Sequence, residues 1–493
     1  MNQAPPHLSR QLGLLGLAAT GICSMIGASI YVVPFMIQRN VPGIGPYVLP
    51  AFLFAAIPAV FAALAYTILA SAMPRAGGSY LYASRAIHPY FGFAASFSQW
   101  FGLSIVIGVI AYVVVPFFRD VAQALEWTDV ADFLEIGSVR VLLSLALLWA
   151  FVGINILGVK FYEKTLIPLM LLMFGLGGVV IICGLLYNQG DFLLALQEKD
   201  QQTQELYSGN FDWKTFLSAA ALLFSSFIGF DAIAQAGGEA KNPEKNLPRA
   251  IGLAIFGVGL FYFAFTYAVY HTVPWQFVAE ESLKKDLTAA GLLSYVLPSS
   301  LGVLILLGAA IALLNDLPAM ILSVSRLVFS WAEDGIFPSR LSRVHPKYQS
   351  PYLAILLSGM VSTLGILGSH FAGDFFLGID IMVTSMLVNF LLMCLSLLLF
   401  PKVNPTLYKR IIVLKSQFLQ RLVGFAGVIF LSGFLIIHVT KDLQSPLSEW
   451  YFHSTWIWLL VMGLASLYFI FRWKTKFSQN PALKNQFSQL PPE

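Results

Sequence analysis

The sequence predicts an all-α, polytopic membrane protein, and three observations carry the prediction. Of its 493 residues 58% are hydrophobic and 11% charged, against about 25% charged in an ordinary soluble chain. Apolar windows of about 20 residues, the length that crosses a bilayer, recur from end to end. Lys and Arg are divided unevenly between the loops on the two sides, as cytoplasmic and external loops are.

Twelve windows qualify as spans: 14–37, 47–72, 92–116, 140–159, 165–187, 214–237, 250–271, 299–324, 351–369, 376–400, 424–440 and 454–472. The ninth and eleventh are the shortest. The first window is too long for a cleavable signal and has no small-residue cleavage site. With the N-terminus inside, 21 of the 29 Lys and Arg fall on the inner side and eight outside. An even number of spans returns the C-terminus to the cytoplasm, and the plasma (inner) membrane is the expected location.

The connections are short except at three places. Residues 73–91 are expected to hold a short interfacial helix on the inner side. Residues 188–213 and 272–298 read as polar, acidic external segments, and the tail from Lys474 as polar and poorly ordered. No separate soluble domain is expected.

Several chemistries are disfavoured. The net charge of +4 follows from the loop bias, and no basic groove with interleaved aromatics suggests nucleic acid. Cys23, Cys183 and Cys394 all fall inside spans, so reduced, buried thiols are expected. The seven histidines are scattered singly, without the spacing of a metal site. No G-x-x-x-x-G-K-[ST] loop is present, so neither nucleotide nor any other cofactor is expected.

One internal repeat stands out. CSMIGAS (23–29) in span one is echoed by SSFIGFD (225–231) in span six, with Ser-x-Ile-Gly mid-span in both. Five spans separate the two, so the copies run in opposite directions through the membrane, as inverted repeats do. Small residues at mid-span also let helices cross closely. Their presence in two equivalent positions favours a second reading, in which each helix opens there.

A helix broken at mid-membrane presents its carbonyl end and its N–H end to the same point. Each end carries about half a unit charge, of opposite sign. Two such breaks offer N–H donors to a carboxylate and carbonyls to an ammonium without a charged side chain. A zwitterion matches that polarity.

The sequence resembles the amino acid–polyamine–organocation (APC) superfamily of permeases over about residues 10–400. IGASIYVVP (26–34) is similar to the family's Ile-Gly-Ser-Gly-Ile-Phe element, and PRAGGSYLY (74–82) to its Pro-Arg-x-Gly-Gly-x-Tyr segment. FIGFDAIAQAGGEAKNPEKNLPRAI (227–251) resembles the span-six signature, and SRLVFSWAEDGIFP (325–338) the segment after span eight.

The resemblance implies a leucine-transporter-type fold of five plus five inverted repeats and two further helices. Residues 1–11 would be the inner N-terminus, 12–190 the first repeat, 211–400 the second, 401–473 the last two spans and 474–493 the inner tail. It implies alternating-access transport of amino acids or related amines through the bilayer. Ile26, Gly27, Ala28 and Ser29 would surround the substrate carboxylate. Carbonyls of Gly21, Ile22, Cys23 and Ser24, and of Phe224, Ser225, Ser226 and Phe227, would receive the ammonium, beside Ile228. Phe227 or Phe224 would be the aromatic gate.

Three departures from the pattern are visible. Ser29 stands for the family's second glycine and Ala28 for its serine. Gly238 replaces the first of two paired glutamates, leaving Glu239. Glu333 stands where arginine is usual before Asp334-Gly335.

Asp231, Asp316 and Asp380 fall inside spans, where acids normally face a cavity or partner. Asp231 is expected to support the break or take part in coupling. Asn315-Asp316 is expected to satisfy backbone freed by a kink at Pro318, with coupling as the alternative. Asp231 and Asp380 lie at different depths, which argues against a protease pair, and no enzymatic activity is expected. No acid is expected at the breaks themselves, which disfavours arginine, lysine and polyamines and favours neutral amino acids. Some members of the family it resembles couple to protons through a lysine in span five, and span five here has no ionisable group before Tyr187. The resemblance therefore implies exchange or facilitated uptake, with proton-coupled symport of an amino acid or polyamine as the alternative. A permease-like amino acid sensor is the alternative of another class.

Overall fold

The structure is a computed structural model that describes residues 8–27, 29–198, 210–372, 376–445, 450–477 and 485–491. All twelve expected spans are helices: Leu14–Asn40, Gly45–Ala72, Pro89–Ala124, Gly137–Ile156, Val159–Leu186, Trp213–Gln235, Pro243–Thr272, Ser300–Glu333, Tyr352–Phe371, Leu377–Val403, Gln417–Gln444 and Ser454–Phe477. The eleventh outruns its apolar window by seven residues at its start and four at its end, where more polar turns extend the helix, whereas the ninth nearly coincides with its window. Among the described residues the β-pairings are two isolated bridges, Leu12 with Ala240 and Ala76 with Ala236.

Burial sorts the spans into centre and rim. The apolar stretches of spans one and six are 81% and 78% buried, whereas those of spans four and twelve are 28% and 22% buried. Outward-facing Leu142, Leu171, Ile182, Phe425 and Leu467 are exposed, as lipid-facing residues are in a bilayer that solvates them. The two spans with mid-membrane glycines are therefore the central ones. Span eight, 34 residues long, packs on both, and span three, 36 residues long, packs on span eight.

The segment after span two does form a helix, Gly78–Ala86, but every residue of it is buried rather than lying at an interface. Close approach explains this. Gly77 has φ +78°, and a Cβ there would overlap the Ser330 side chain, so the chain turns into the bundle where an interfacial helix would turn out. Arg85 from this helix forms an ion pair with Asp334, which also accepts from Tyr80 Oη at 2.6 Å. Burial works to lower the Arg85 guanidinium, and the Asp334 carboxylate beside it outweighs that and raises it. The segments expected on the outer side carry helices Gln189–Gln197, Trp275–Lys284 and Ala289–Leu293.

The tail differs from expectation where it is described. Phe487 is buried against Trp473 and Phe477, at 5.8 and 5.5 Å between ring centres. Arg85 Nε donates to the Gln489 carbonyl at 3.1 Å, and Gln486 Nε2 to that of Asp334 at 2.9 Å. An aromatic anchor and charged donors hold a stretch that its composition alone leaves free.

Candidate functional site

Span one breaks where its glycine falls. Helix Leu14–Met25 ends as Ile26 leaves helical geometry (φ −89°, ψ 90°), its N–H still reaching the Ile22 carbonyl at 2.8 Å. The second half runs Ser29–Asn40. Ala28 and the Ser29 side chain lie outside the described residues. Span six breaks at the equivalent place. Helix Trp213–Leu223 tightens into one 3₁₀ turn, Phe224–Phe227, then Ile228 is extended (φ −76°, ψ 136°). Gly229 follows at φ +131°, a conformation glycine adopts without strain, and a short helix resumes at Ala232–Gln235.

The two breaks touch. A Cβ on Gly229 would overlap the Ser24 carbonyl and stand 2.8 Å from Met25 N. The backbones of spans one and six therefore meet with no side chain between them. Gly27, the counterpart of Gly229 in the repeated element, faces the other way, and a Cβ there would overlap Asp316 Oδ2 of span eight.

Other elements hold this arrangement. Tyr262 of span seven donates its hydroxyl to the Met25 carbonyl at 2.5 Å, capping the end of the first half-helix. Phe227 packs on Phe52 and Tyr262, with centroids 5.2 and 6.1 Å apart. Phe224 turns toward Phe390 and Phe434, at 6.2 and 5.8 Å. Ser225 Oγ bonds back to the Leu222 carbonyl at 2.8 Å, while buried Ser226 Oγ finds no partner among the described residues. Gly21 admits Ile233, whose Cγ1 lies 2.8 Å from where a Cβ would stand, so it lets the helices pack at that point. Cys23 and Ile228 are buried and Ile22 partly so.

The acids are placed differently from their order in the chain. The expectation that no acid stands at the breaks fails, because span eight brings Asp316 onto Gly27. Asp316 is 6% exposed, and its Oδ1 and the Asn315 Oδ1 have no hydrogen-bond partner among the described residues. Asn155 of span four donates its Nδ2 to the Pro318 carbonyl at 3.2 Å, which is not the Leu314 carbonyl that the missing Pro318 N–H leaves free. Asp231 accepts from Gln99 Nε2 of span three. Gln99 Oε1 accepts from Ser79 Oγ at 2.5 Å, and Ser79 Oγ accepts from Gln235 Nε2 at 2.7 Å. Asp231 is thus wired into a buried polar network behind the break. Among the described residues no His, Cys, Asp and Glu cluster has the makings of a metal site.

Below the breaks the bundle is closed by a buried ion pair. Arg326 Nε and Nη2 donate to the two Glu239 carboxylate oxygens at 3.0 and 2.5 Å. The Glu239 carbonyl accepts from the N–H groups of Gln11 and Leu12, both at 2.9 Å. Glu239, the glutamate that remains, is therefore engaged, and Gly238 sits where a Cβ would come 3.0 Å from that of Ala76. Sequence reasoning missed Tyr262, Gln99 and the pairing of Arg326: the first two lie in apolar spans that mark neither, and the 325–338 motif holds Arg326 without naming its partner.

Comparison with known proteins gives a consistent result. Residues 12–471 match the family described as amino acid permease. A branched-chain amino acid permease of Bacillus subtilis is 26% identical, over 72% of this chain and 74% of its own. A cationic amino acid transporter of Mus musculus is 26% identical, over 72% of this chain and 55% of its own. A low-affinity putrescine importer of Escherichia coli is 26% identical over 79% of both.

Proposed function

The chain belongs to the amino acid permease family, and on that premise we propose that it moves neutral α-amino acids across the plasma membrane by alternating access. The observation that carries this reading is the contact between the two helix breaks at Ser24 and Gly229. The first half of span one ends at Met25 and the second begins at Ser29, so the break separates a carbonyl end from an N–H end. That polarity suits an ammonium and a carboxylate on adjacent atoms. Residues 12–190 and 211–400 would be the inverted halves, rocking about this point, with both termini cytoplasmic.

The small residues that the sequence carries at the breaks (Ala28, Ser29, Ser226) bring no charge of their own, which favours neutral substrates. Span five has no lysine at mid-membrane, so the lysine-dependent proton route of some relatives has no counterpart, and exchange or facilitated uptake fits. A second reading, transport of diamines, is favoured by Asp316 on Gly27, which puts a negative charge at the break. A thermal-shift screen followed by uptake into proteoliposomes tests the choice. Stabilisation and flux with neutral amino acids support the first reading, and a response to diamines alone supports the second.

A further inference from the structure

The linker between spans ten and eleven carries charge of one sign. From Ile381 to Thr440 the chain has no Asp or Glu, and five cations fall there: Lys402, Lys409, Arg410, Lys415 and Arg421. All five are exposed, and among the described residues none forms an ion pair. Arg85 and Arg326, by contrast, are buried against carboxylates. Loop bias accounts for the sign of the five charges but not for their rigid setting. Leu407 and Ile411 are buried, and the Ile412 N–H reaches Ser71 Oγ of span two at 3.4 Å. Tyr408 Oη donates to Gln420 Oε1 at 2.7 Å, and Gln420 Nε2 to the Leu414 carbonyl at 2.8 Å. Leu414 is held at φ +50°, which a bulky residue adopts only where its neighbours impose it.

Apolar side chains set the depth of this platform. Leu399 and Val403 at the end of span ten, and Phe418 and Leu422 at the start of span eleven, are exposed, as lipid-facing residues are. The linker joins those two ends, so it lies where hydrocarbon gives way to headgroups. Ile412, 43% exposed, stands between Arg410 and Lys415 in the chain. Exposed apolar side chains interleaved with cations suit a membrane interface better than a loop in water.

We propose that this linker is a docking surface for anionic phospholipid of the adjoining leaflet, its headgroup phosphates bound by Lys402, Lys409, Arg410, Lys415 and Arg421. Unpaired cations at headgroup depth attract anionic lipid, and a guanidinium can take phosphate through two parallel hydrogen bonds. The apolar neighbours select lipid over other polyanions. A nucleic acid or an acidic protein would have to cover Ile412 and Phe418, which acyl chains already suit. Bound lipid fixes the ends of spans ten and eleven against the bilayer. The inference is independent of which substrate is carried.

The test titrates the full-length protein in neutral detergent with phosphatidylglycerol or with phosphatidylcholine of the same acyl chains. Native mass spectrometry counts the lipid retained. Phosphatidylglycerol should be retained in preference, and added salt should weaken its binding. Lys409→Gln combined with Arg410→Gln should lower its affinity on the order of twentyfold, at about fivefold per charge. Lys160→Gln with Lys164→Gln, at two exposed cations elsewhere, should leave it unchanged. Equal retention of the two lipids would overturn the proposal, as would an unaltered affinity in the linker variant or an equal loss in the control. Displacement of the lipid by an equal concentration of inorganic phosphate would mark a small-anion site and would also overturn it. If the linker variant does not fold, the two lipids compared on the unaltered protein still decide.

Discussion

Gly229 lies against the Ser24 carbonyl so closely that the smallest side chain would not fit between them. At φ +131° its backbone is also closed to other residues without strain. Two central helices, both interrupted, thus touch through main chain at mid-membrane. In hydrocarbon, backbone polar groups must find partners, and broken helices are tolerated where protein or a cavity supplies them. The partner proposed here is the substrate.

Gly229→Ala is expected to abolish uptake. The φ angle alone costs about 1–3 kcal/mol for a non-glycine residue, and the overlap with Ser24 pushes the breaks apart. Gly27→Val should do the same through its clash with Asp316. Both proteins should remain monodisperse in detergent, and their transport is read in proteoliposomes. Wild-type flux in either would show that the glycines serve only to let helices pass.

Tyr262→Phe removes the donor to the Met25 carbonyl while keeping the ring that packs on Phe227 and Phe52. Loss of one buried hydrogen bond costs about 1 kcal/mol. Substrate affinity should weaken by about fivefold if that energy falls on the end of the half-helix that holds the ammonium. Equilibrium binding measures it, and unchanged affinity would remove Tyr262 from the site.

Glu239→Gln leaves Arg326 charged, buried and short of its counter-ion. Removing one member of a buried pair is destabilising by about 3–5 kcal/mol, so thermal stability should fall sharply. Arg326→Met combined with Glu239→Leu should recover part of the loss, because no unpaired charge remains. A double variant no more stable than Glu239→Gln would argue that the segment from Gln11 to Leu12, rather than the ion pair, holds this end closed.

Much of this arrangement was legible in the sequence, and the limit was contact between distant positions. Gly27 and Gly229 announce themselves by repeating in Ser-x-Ile-Gly at mid-span, and both breaks fall where that element lies. Gly21 looks the same in sequence, yet it serves packing against Ile233. Asp316 reads as a residue beside a proline kink until span eight lays it across Gly27, a juxtaposition of positions 289 apart that no local pattern encodes. Tyr262 is one aromatic among many in its span, and only its partner gives it meaning. The tail had the composition of an unpacked segment, and Phe487 together with the Arg85 and Gln486 hydrogen bonds anchors its described part.

The central claim is that the helix ends themselves recognise an amino acid through its adjacent carboxylate and ammonium. Competition binding tests it most directly, comparing an amino acid that the protein transports with its amide and with a diamine of similar length. The amide leaves N–H donors at the break without their anion, a loss of about 1–3 kcal/mol. The account predicts that the parent amino acid displaces the labelled ligand at least about fivefold better than its amide, with the diamine weaker still. Equal displacement by all three, or stronger displacement by the diamine, would contradict it.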